Sequence, residues 1–368
     1  MLLQDTLLDQ LSDRLNGRLM NALQDIATNV QIDSFCIRHP SYKPLELPPE
    51  AVERLRSMPS DLQQKYVSSQ LRSFLYGIYY NGSLKAALAP ESETQINPQD
   101  MENNTFLGMD LEFYERIHNS NTGEGYFDEG WVVIREEDDG AIAVTKGGLT
   151  VHLQRNRHLK SADEAIAVGN PIAIRLPKNL VQNGFYMAVS NAGVHHPTGS
   201  GSQLVRIYWN LTSEGAVAVM SSLTQKLNEI SLPFTLKVLY NPSDYKRYDS
   251  GVLYFDSHSY ESVRPTLQSV YTEHRLHFLP ETPLFTKLLA PGLGLAEEPT
   301  QRFAAIESFG MNRCQIVANG LLSAQKQAKN STEGRLASIF EQFSLLGVDI
   351  YSPYLNAESS DIYLPLNE

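Results

Sequence analysis

The chain has 368 residues, 42% of them apolar and 20% charged, and 30 Lys plus Arg against 42 Asp plus Glu give a formal charge of −12. That balance belongs to a globular protein of one or two domains and has the wrong sign for a sequence-independent nucleic-acid binder. Its two cysteines, Cys36 and Cys314, allow neither a disulfide framework nor a cysteine-rich zinc site, and no apolar run approaches the roughly 20 residues that span a bilayer.

The first third reads helical. Leu2, Leu3, Leu7, Leu8, Leu11, Leu15 and Met20 follow a helical stripe, with Asn16-Gly17 as its weak point. The opening residues carry neither a basic region nor a continuous apolar core, so no signal peptide is expected and the expected location is cytoplasmic. After a linker from Pro40 to Pro49, residues 50–80 read as two helices, the second capped at Ser60 and ended by Asn81-Gly82. Residues 89–101 read as loop, and residues 107–118 as one more short helix.

From about Gly125 the pattern changes to strands. Residues 131–135 and 141–145 flank an acidic hairpin turn, and strands follow at 148–153, 172–176, 185–189, 204–211, 234–239 and 252–255. Helices are expected over 213–230, capped by Ser213, over 260–273, and through most of 308–342; residues 280–299 read as a Pro/Gly-rich stretch. Strands clustered centrally with helices at the ends predict an α+β fold: a central, mainly antiparallel sheet flanked by helices, with an N-terminal helical subdomain. The expected division is a helical region over 1–120 and an α+β domain over 121–368.

Several motifs fail on inspection. Gly292-Leu-Gly-Leu-Ala-Glu297 starts like a dinucleotide-binding fingerprint but has Glu where the third glycine belongs, and Gly199-Ser-Gly-Ser fails in the same way. Ser308-Phe-Gly310 lacks the aspartate and the companion motifs of a kinase. His195-His196 has no third metal ligand at a matching spacing, so neither metal nor cofactor is expected.

What remains is a set of cationic and phenolic residues on apolar strands, where an unpaired charge is costly to desolvate. Lys237 sits at the centre of Phe234-Thr-Leu-Lys-Val-Leu239, and Arg206, Tyr208 and Asn210 share one face of their strand. Tyr254 lies in the next strand, with Arg247 in the turn before it. Lys146 follows Val144-Thr145, Lys287 precedes the glycine-rich stretch, and Arg313 opens a helix. Singly, each would snorkel to solvent or pair with an acid. As a set they point to an anion site, since guanidinium forks suit phosphate or carboxylate.

The stretch from Gly125 to Asn319 resembles the HopA-type effector family. The resemblance rests on Gly125-Tyr-Phe-Asp-Glu-Gly-Trp131, Lys146-Gly-Gly-Leu-Thr-Val-His152 and Arg175-Leu-Pro-Lys-Asn-Leu180. It continues through Arg206-Ile-Tyr-Trp-Asn-Leu-Thr212, Pro233-Phe-Thr-Leu-Lys-Val-Leu239, Thr286-Lys-Leu-Leu-Ala-Pro-Gly-Leu-Gly-Leu-Ala-Glu297 and Glu307-Ser-Phe-Gly-Met-Asn-Arg313. The family includes secreted effectors of plant pathogens, so a member of that kind would be delivered to a host cell. It also includes stand-alone proteins of ribosomal-peptide biosynthesis, in thioamide-peptide and class V lanthipeptide pathways. There the resemblance implies elimination of phosphate from phospho-Ser or phospho-Thr that a separate kinase-like protein has installed in a precursor peptide.

A more distant similarity is to phosphothreonine lyases, which use a strand lysine as base, a strand histidine as acid and arginines around the phosphate. Laid over this chain by order of elements, the similarity implies Lys237 as base, Arg247 as a phosphate arginine and Tyr254 as the strand tyrosine. The acid position falls on Tyr208 rather than a histidine, with His152, His195 or a water as the other choices. The similarity also matches Arg313 to a later arginine, and Arg206, Lys146, Lys287 and Tyr254 from the set on apolar strands complete the expected phosphate and substrate contacts. Such chemistry needs a base for the Cα proton and cations for the departing phosphate; desolvation and nearby guanidinium charges bring a lysine towards useful basicity. Two functions are therefore expected to compete: a phospho-Ser/Thr lyase, or a non-catalytic peptide- or protein-binding module on the same fold. Neither calls for nucleic acid or a membrane as a partner.

Overall fold

The computed structural model describes residues 17–92, 108–160, 166–194 and 202–367. It opens with helix α1 (Gly17–Asn29), then a small antiparallel sheet of β1 (Gln31–Asp33), β2 (Cys36–His39) and β3 (Tyr42–Leu45). Helices α2 (Pro49–Arg56) and α3 (Ser60–Leu75) follow, and α3 runs into a π-helical turn, Tyr76–Tyr80. Helix α4 (Leu111–Ser120) is capped by Asp110, whose carboxylate accepts from the Phe113 amide.

A four-stranded sheet comes next, built from β4 (Tyr126–Glu136), β5 (Ile142–Lys146), β6 (Leu149–Leu153) and β7 (Pro171–Leu176), with a one-turn helix α5 (Arg155–His158) between the last two. It has its own small core around Trp131, Val133, Val144 and Ile174.

The principal sheet has seven strands. In chain order they are β8 (Asn179–Gln182), β9 (Phe185–Val189), β10 (Leu204–Trp209), β11 (Thr235–Leu239), β12 (Gly251–Asp256), β13 (Lys287–Ala290) and β14 (Leu293–Glu297). In space they run β13-β14-β10-β12-β11-β9-β8, and each adjacent pair is antiparallel. Helix α6 (Ser213–Glu229) connects β10 to β11, and α7 (Tyr260–Glu273) follows β12. Helices α8 (Phe309–Lys326) and α9 (Thr332–Leu345) come last.

The alternation of each strand sends two sets of side chains to opposite faces. Val205, Ile207, Trp209, Leu236, Val238, Leu253 and Phe255 face the rear, where they pack with Val219, Leu223 and Leu227 of α6, Val263 and Leu267 of α7, and Phe113 and Ile117 of α4. Each such fully buried aliphatic contributes about 1.5–3 kcal/mol relative to exposure. The front face bears Tyr208, Val252 and Ala296, which join a second core with α1, α3, the π-helical turn, α8 and α9. The protein is therefore α+β with antiparallel sheets, as its strand and helix order predicts. Among the described residues no helix is long and apolar enough to cross a membrane.

Several local expectations are corrected. The N-terminal helical region also holds three short strands over 31–45, of which β3 falls within the segment read as a linker. Strands of three or four residues are too short to leave a period-2 signal. Residues 280–299 hold β13 and the wholly buried β14; Gly292 and Gly294 masked the strand. A Cβ at Gly294 would lie 2.6 Å from Thr286 Oγ1, so that glycine serves close packing within the sheet. Caps also shift by one residue: Pro59 rather than Ser60 precedes α3, and Thr212 rather than Ser213 caps α6, accepting from the Gly215 amide at 3.1 Å. The leucine stripe before Gly17 lies outside the described residues.

Gly310 is expected to permit a turn at the start of α8, but it lies inside the helix, at its second residue. Its role is contact. A Cβ there would meet the Tyr80 ring at 2.3 Å. We expect Gly310→Ala to cost about 1–3 kcal/mol through overpacking, read as a lower denaturant midpoint; an unchanged midpoint would mean that Tyr80 does not seat on this helix.

Candidate functional site

The front face of the principal sheet carries the site, and strand register sets its rows. Ala296, Arg206, Tyr254, Thr235 and Val189 lie side by side across β14, β10, β12, β11 and β9. The next row is Gly294, Tyr208, Val252, Lys237 and Met187. Adjacent strands are about 4.8 Å apart, so Lys237 and Tyr208, two strands apart, are separated by about 10 Å at their backbones. Alanine and glycine at the β14 end let Phe309 of α8 come down on the sheet, its ring 6.3 Å from that of Tyr208. This end is sealed, whereas Thr235, Lys237, Tyr254 and Met187 towards β9 are half-exposed.

Lys237 stands between two aromatic rings, its Nζ 4.5 Å from the Phe185 centroid and 5.5 Å from that of Tyr254. No hydrogen bond or ion pair holds it among the described residues. Ring faces are electron-rich and stabilise a cation without neutralising it. The same two rings link it to two guanidinium groups. Arg206 Cζ lies 5.1 Å from the Tyr254 centroid, and Arg247 Cζ lies 5.7 Å from that of Phe185. Sequence order thus led to a real cluster: Lys237, Arg206, Arg247 and Tyr254 share one strip of one face.

Both arginines already hold carboxylates. Arg206 donates through Nε and Nη2 to Glu298 Oε2. Burial opposes its charge, but the surrounding tyrosines and Glu298 raise its pKa well above the ordinary value. Arg247, in the connection from β11 to β12, grips Asp249 bidentately, Nε to Oδ1 at 2.5 Å and Nη2 to Oδ2 at 2.8 Å. Asp249 is 5% exposed and also accepts from Asn81 Nδ2 at 3.2 Å and Tyr76 hydroxyl at 3.3 Å. Burial alone would raise its pKa; the Arg247 charge and these donors carry it below the usual carboxylate range.

Tyr208 is sealed, 2% exposed, beneath Phe309 and Tyr80. Its hydroxyl faces that of Tyr80 but makes no hydrogen bond of good geometry. Burial pushes its pKa far up, so the phenol keeps its proton. Tyr254, not Tyr208, is the phenol on the half-open side.

The other expected residues do not join this strip. Arg313 is 2% exposed and ties α8 to the 353–355 segment, donating to Pro353 O at 2.7 Å and Leu355 O at 2.9 Å. Burial pushes its pKa down to about 10. Lys146 belongs to the four-stranded sheet, where it binds Asp128 at 2.7 Å. Lys287 is on the edge strand β13, paired with Asp361; its register partner Leu295 belongs to the rear core, so it starts from the opposite face. His152 is on β6 with Glu137 at 2.9 Å, and His195 lies outside the described residues.

Sequence reading missed Phe185, Asp249, Glu298 and the π-helical turn. Asp249 stands two residues from Arg247, which was the available signal for that pair. Glu298 is separated from Arg206 by 92 positions and had none. The N-terminal region also reaches the site: Tyr76, Tyr80 and Asn81 brace Asp249 and Tyr208.

Fold and site together define an α+β protein with a cation-bearing antiparallel face half-covered by helices. Residues 176–355 match the model of the HopA1 effector protein family. The matched span holds the whole strip and excludes the four-stranded sheet before Leu176. Two solved structures are similar to it. One is the effector protein from Pseudomonas syringae pv. tomato strain DC3000, 18% identical, covering 83% of this chain and 93% of its own, with a TM-score of 0.42. The other is the effector protein from Pseudomonas syringae pv. syringae strain 61, 14% identical, covering 93% of this chain and 98% of its own, with a TM-score of 0.44. No curated protein matches the chain.

Proposed function

We propose that the protein is a phospho-Ser/Thr lyase that β-eliminates phosphate from a phosphorylated peptide, giving dehydroalanine or dehydrobutyrine. The observation that carries this reading is Lys237: a half-buried amine with no ion-pair partner among the described residues, held by two rings beside two guanidinium groups. In its neutral form the amine takes the Cα proton. The C–H electron pair becomes the Cα=Cβ bond, and the Cβ–O bond breaks with its electrons leaving on phosphate. Arg206 and Arg247 are assigned to that developing charge. The proton then passes from Lys237 to solvent. Tyr208 is sealed, so the role of proton donor to the departing oxygen is assigned to the half-exposed Tyr254. The substrate requires a kinase-type reaction upstream, in keeping with a separate kinase-like partner and a precursor peptide.

A second reading, a non-catalytic phosphopeptide- or protein-binding module, is favoured by one feature: both arginines are already neutralised by carboxylates. One experiment separates the two. A phosphothreonine peptide incubated with the protein should become lighter than its unphosphorylated parent by one water. Binding with the phosphorylated mass unchanged supports the module, and return of the parent mass would mean hydrolysis, which the lyase reading forbids.

A further inference from the structure

The two carboxylates on the arginines differ in a way that bears on how an anion enters. Asp249 is locked, gripped bidentately by Arg247 and held by Asn81 and Tyr76 from the N-terminal layer. Glu298 is not. Its Oε2 accepts from Arg206, while its Oε1 accepts from Arg302 Nη2 at 3.0 Å. Side-chain exposure rises along this line, from 10% at Arg206 and 12% at Glu298 to 41% at Arg302. One carboxylate therefore bridges a buried guanidinium and a surface one.

Resting on the anion-site reading above, we propose that Glu298 is a gate: it holds the Arg206 guanidinium in this arrangement and turns wholly onto Arg302 when a phosphoryl oxygen takes its place. The backbone beneath it is fixed. Glu298 N donates to Leu204 O at 2.7 Å, and Glu298 O accepts from Asn356 Nδ2 at 2.8 Å. The exchange is thus a side-chain rotation with the main chain at rest, and Arg302 keeps the released carboxylate paired, which removes most of the cost of an orphaned charge.

Charge favours the exchange for one class of ligand. With Glu298 on Arg206, a phosphate approaching Lys237 meets one cation without an ion pair, beside the locked Arg247–Asp249 pair. With Glu298 turned away it meets two, the lysine and a guanidinium fork suited to two oxygens. A neutral or hydroxyl-bearing side chain gains nothing from displacing a carboxylate. The gate therefore selects phosphorylated over unmodified residues.

Calorimetric titration with inorganic phosphate tests this apart from any turnover. Glu298→Gln keeps the shape and a hydrogen-bond acceptor for Arg206 but removes the competing charge, and should tighten phosphate binding about tenfold, the scale of one partly screened charge contact. Arg302→Ala, on the surface, removes the alternative partner and should weaken phosphate binding several-fold. A merely structural Glu298 would give no gain on substitution. Folded Glu298→Gln with unchanged or weaker phosphate affinity overturns the gate. Should that variant not fold, an Arg302→Ala affinity equal to the parent's overturns it instead. The lyase reading fails separately, on the mass of the phosphopeptide.

Discussion

Lys237→Ala is expected to lower elimination from a phosphothreonine peptide by roughly 10²–10⁴-fold, the usual contribution of a general base. Phosphopeptide affinity should fall far less, because the lyase reading assigns the amine to the Cα proton and the arginines to the phosphate. This split distinguishes a base from a phosphate ligand: loss of a phosphate contact would weaken binding in step with rate. The side chain also packs against Phe185 and Tyr254, so truncation opens space between two rings. Lys237→Met fills that space without an ionisable nitrogen and should be equally inactive with an unaltered thermal midpoint. Single-turnover measurement with mass detection reads both variants. A fully active Lys237→Met would place the base elsewhere on the face.

The features legible in the sequence share a physical basis. A strand's two-residue period let Arg206 and Tyr208 be placed on one face, and apolar neighbours marked Lys237 as a cation with limited access to water. Both inferences are local, and the strand register extends them to one strip with Tyr254. What stayed hidden depends on register between distant segments. Nothing in the sequence near Arg206 announces Glu298, and nothing near Tyr208 announces that Tyr80 will close over it from the other end of the chain. The same limit misplaced Arg313. A buried arginine at the start of a helix looks like an anion ligand until the loop carbonyls that bind it are known. Lys146 and Lys287 were singled out for their apolar neighbours, yet each reaches an acid at a sheet margin.

Asp249→Asn should cost about 3–5 kcal/mol, the penalty for removing one partner of a buried ion pair. The substitution preserves volume and leaves Asn81 and Tyr76 a neutral partner, so the loss isolates the charge left on Arg247. That charge is 11% exposed at its side chain and braced against Phe185. It has little recourse to water. The acid limb of the stability curve should change as well. Because the folded carboxyl titrates below its unfolded value of about 3.9, the pair contributes fully above that value. Its contribution disappears as pH falls through the lower folded pKa. Asp249→Asn should therefore be most damaging near neutrality and converge on the parent at strongly acid pH. Denaturant unfolding at several pH values measures both effects. Replacing both partners, Arg247→Met with Asp249→Leu, completes the cycle: apolar residues of similar volume should recover much of the loss. The double variant should at the same time lose phosphate affinity, since it lacks one of the two guanidinium groups on the strip. Recovery of stability without loss of phosphate binding would make Arg247 a structural residue and leave Arg206 alone to receive the anion.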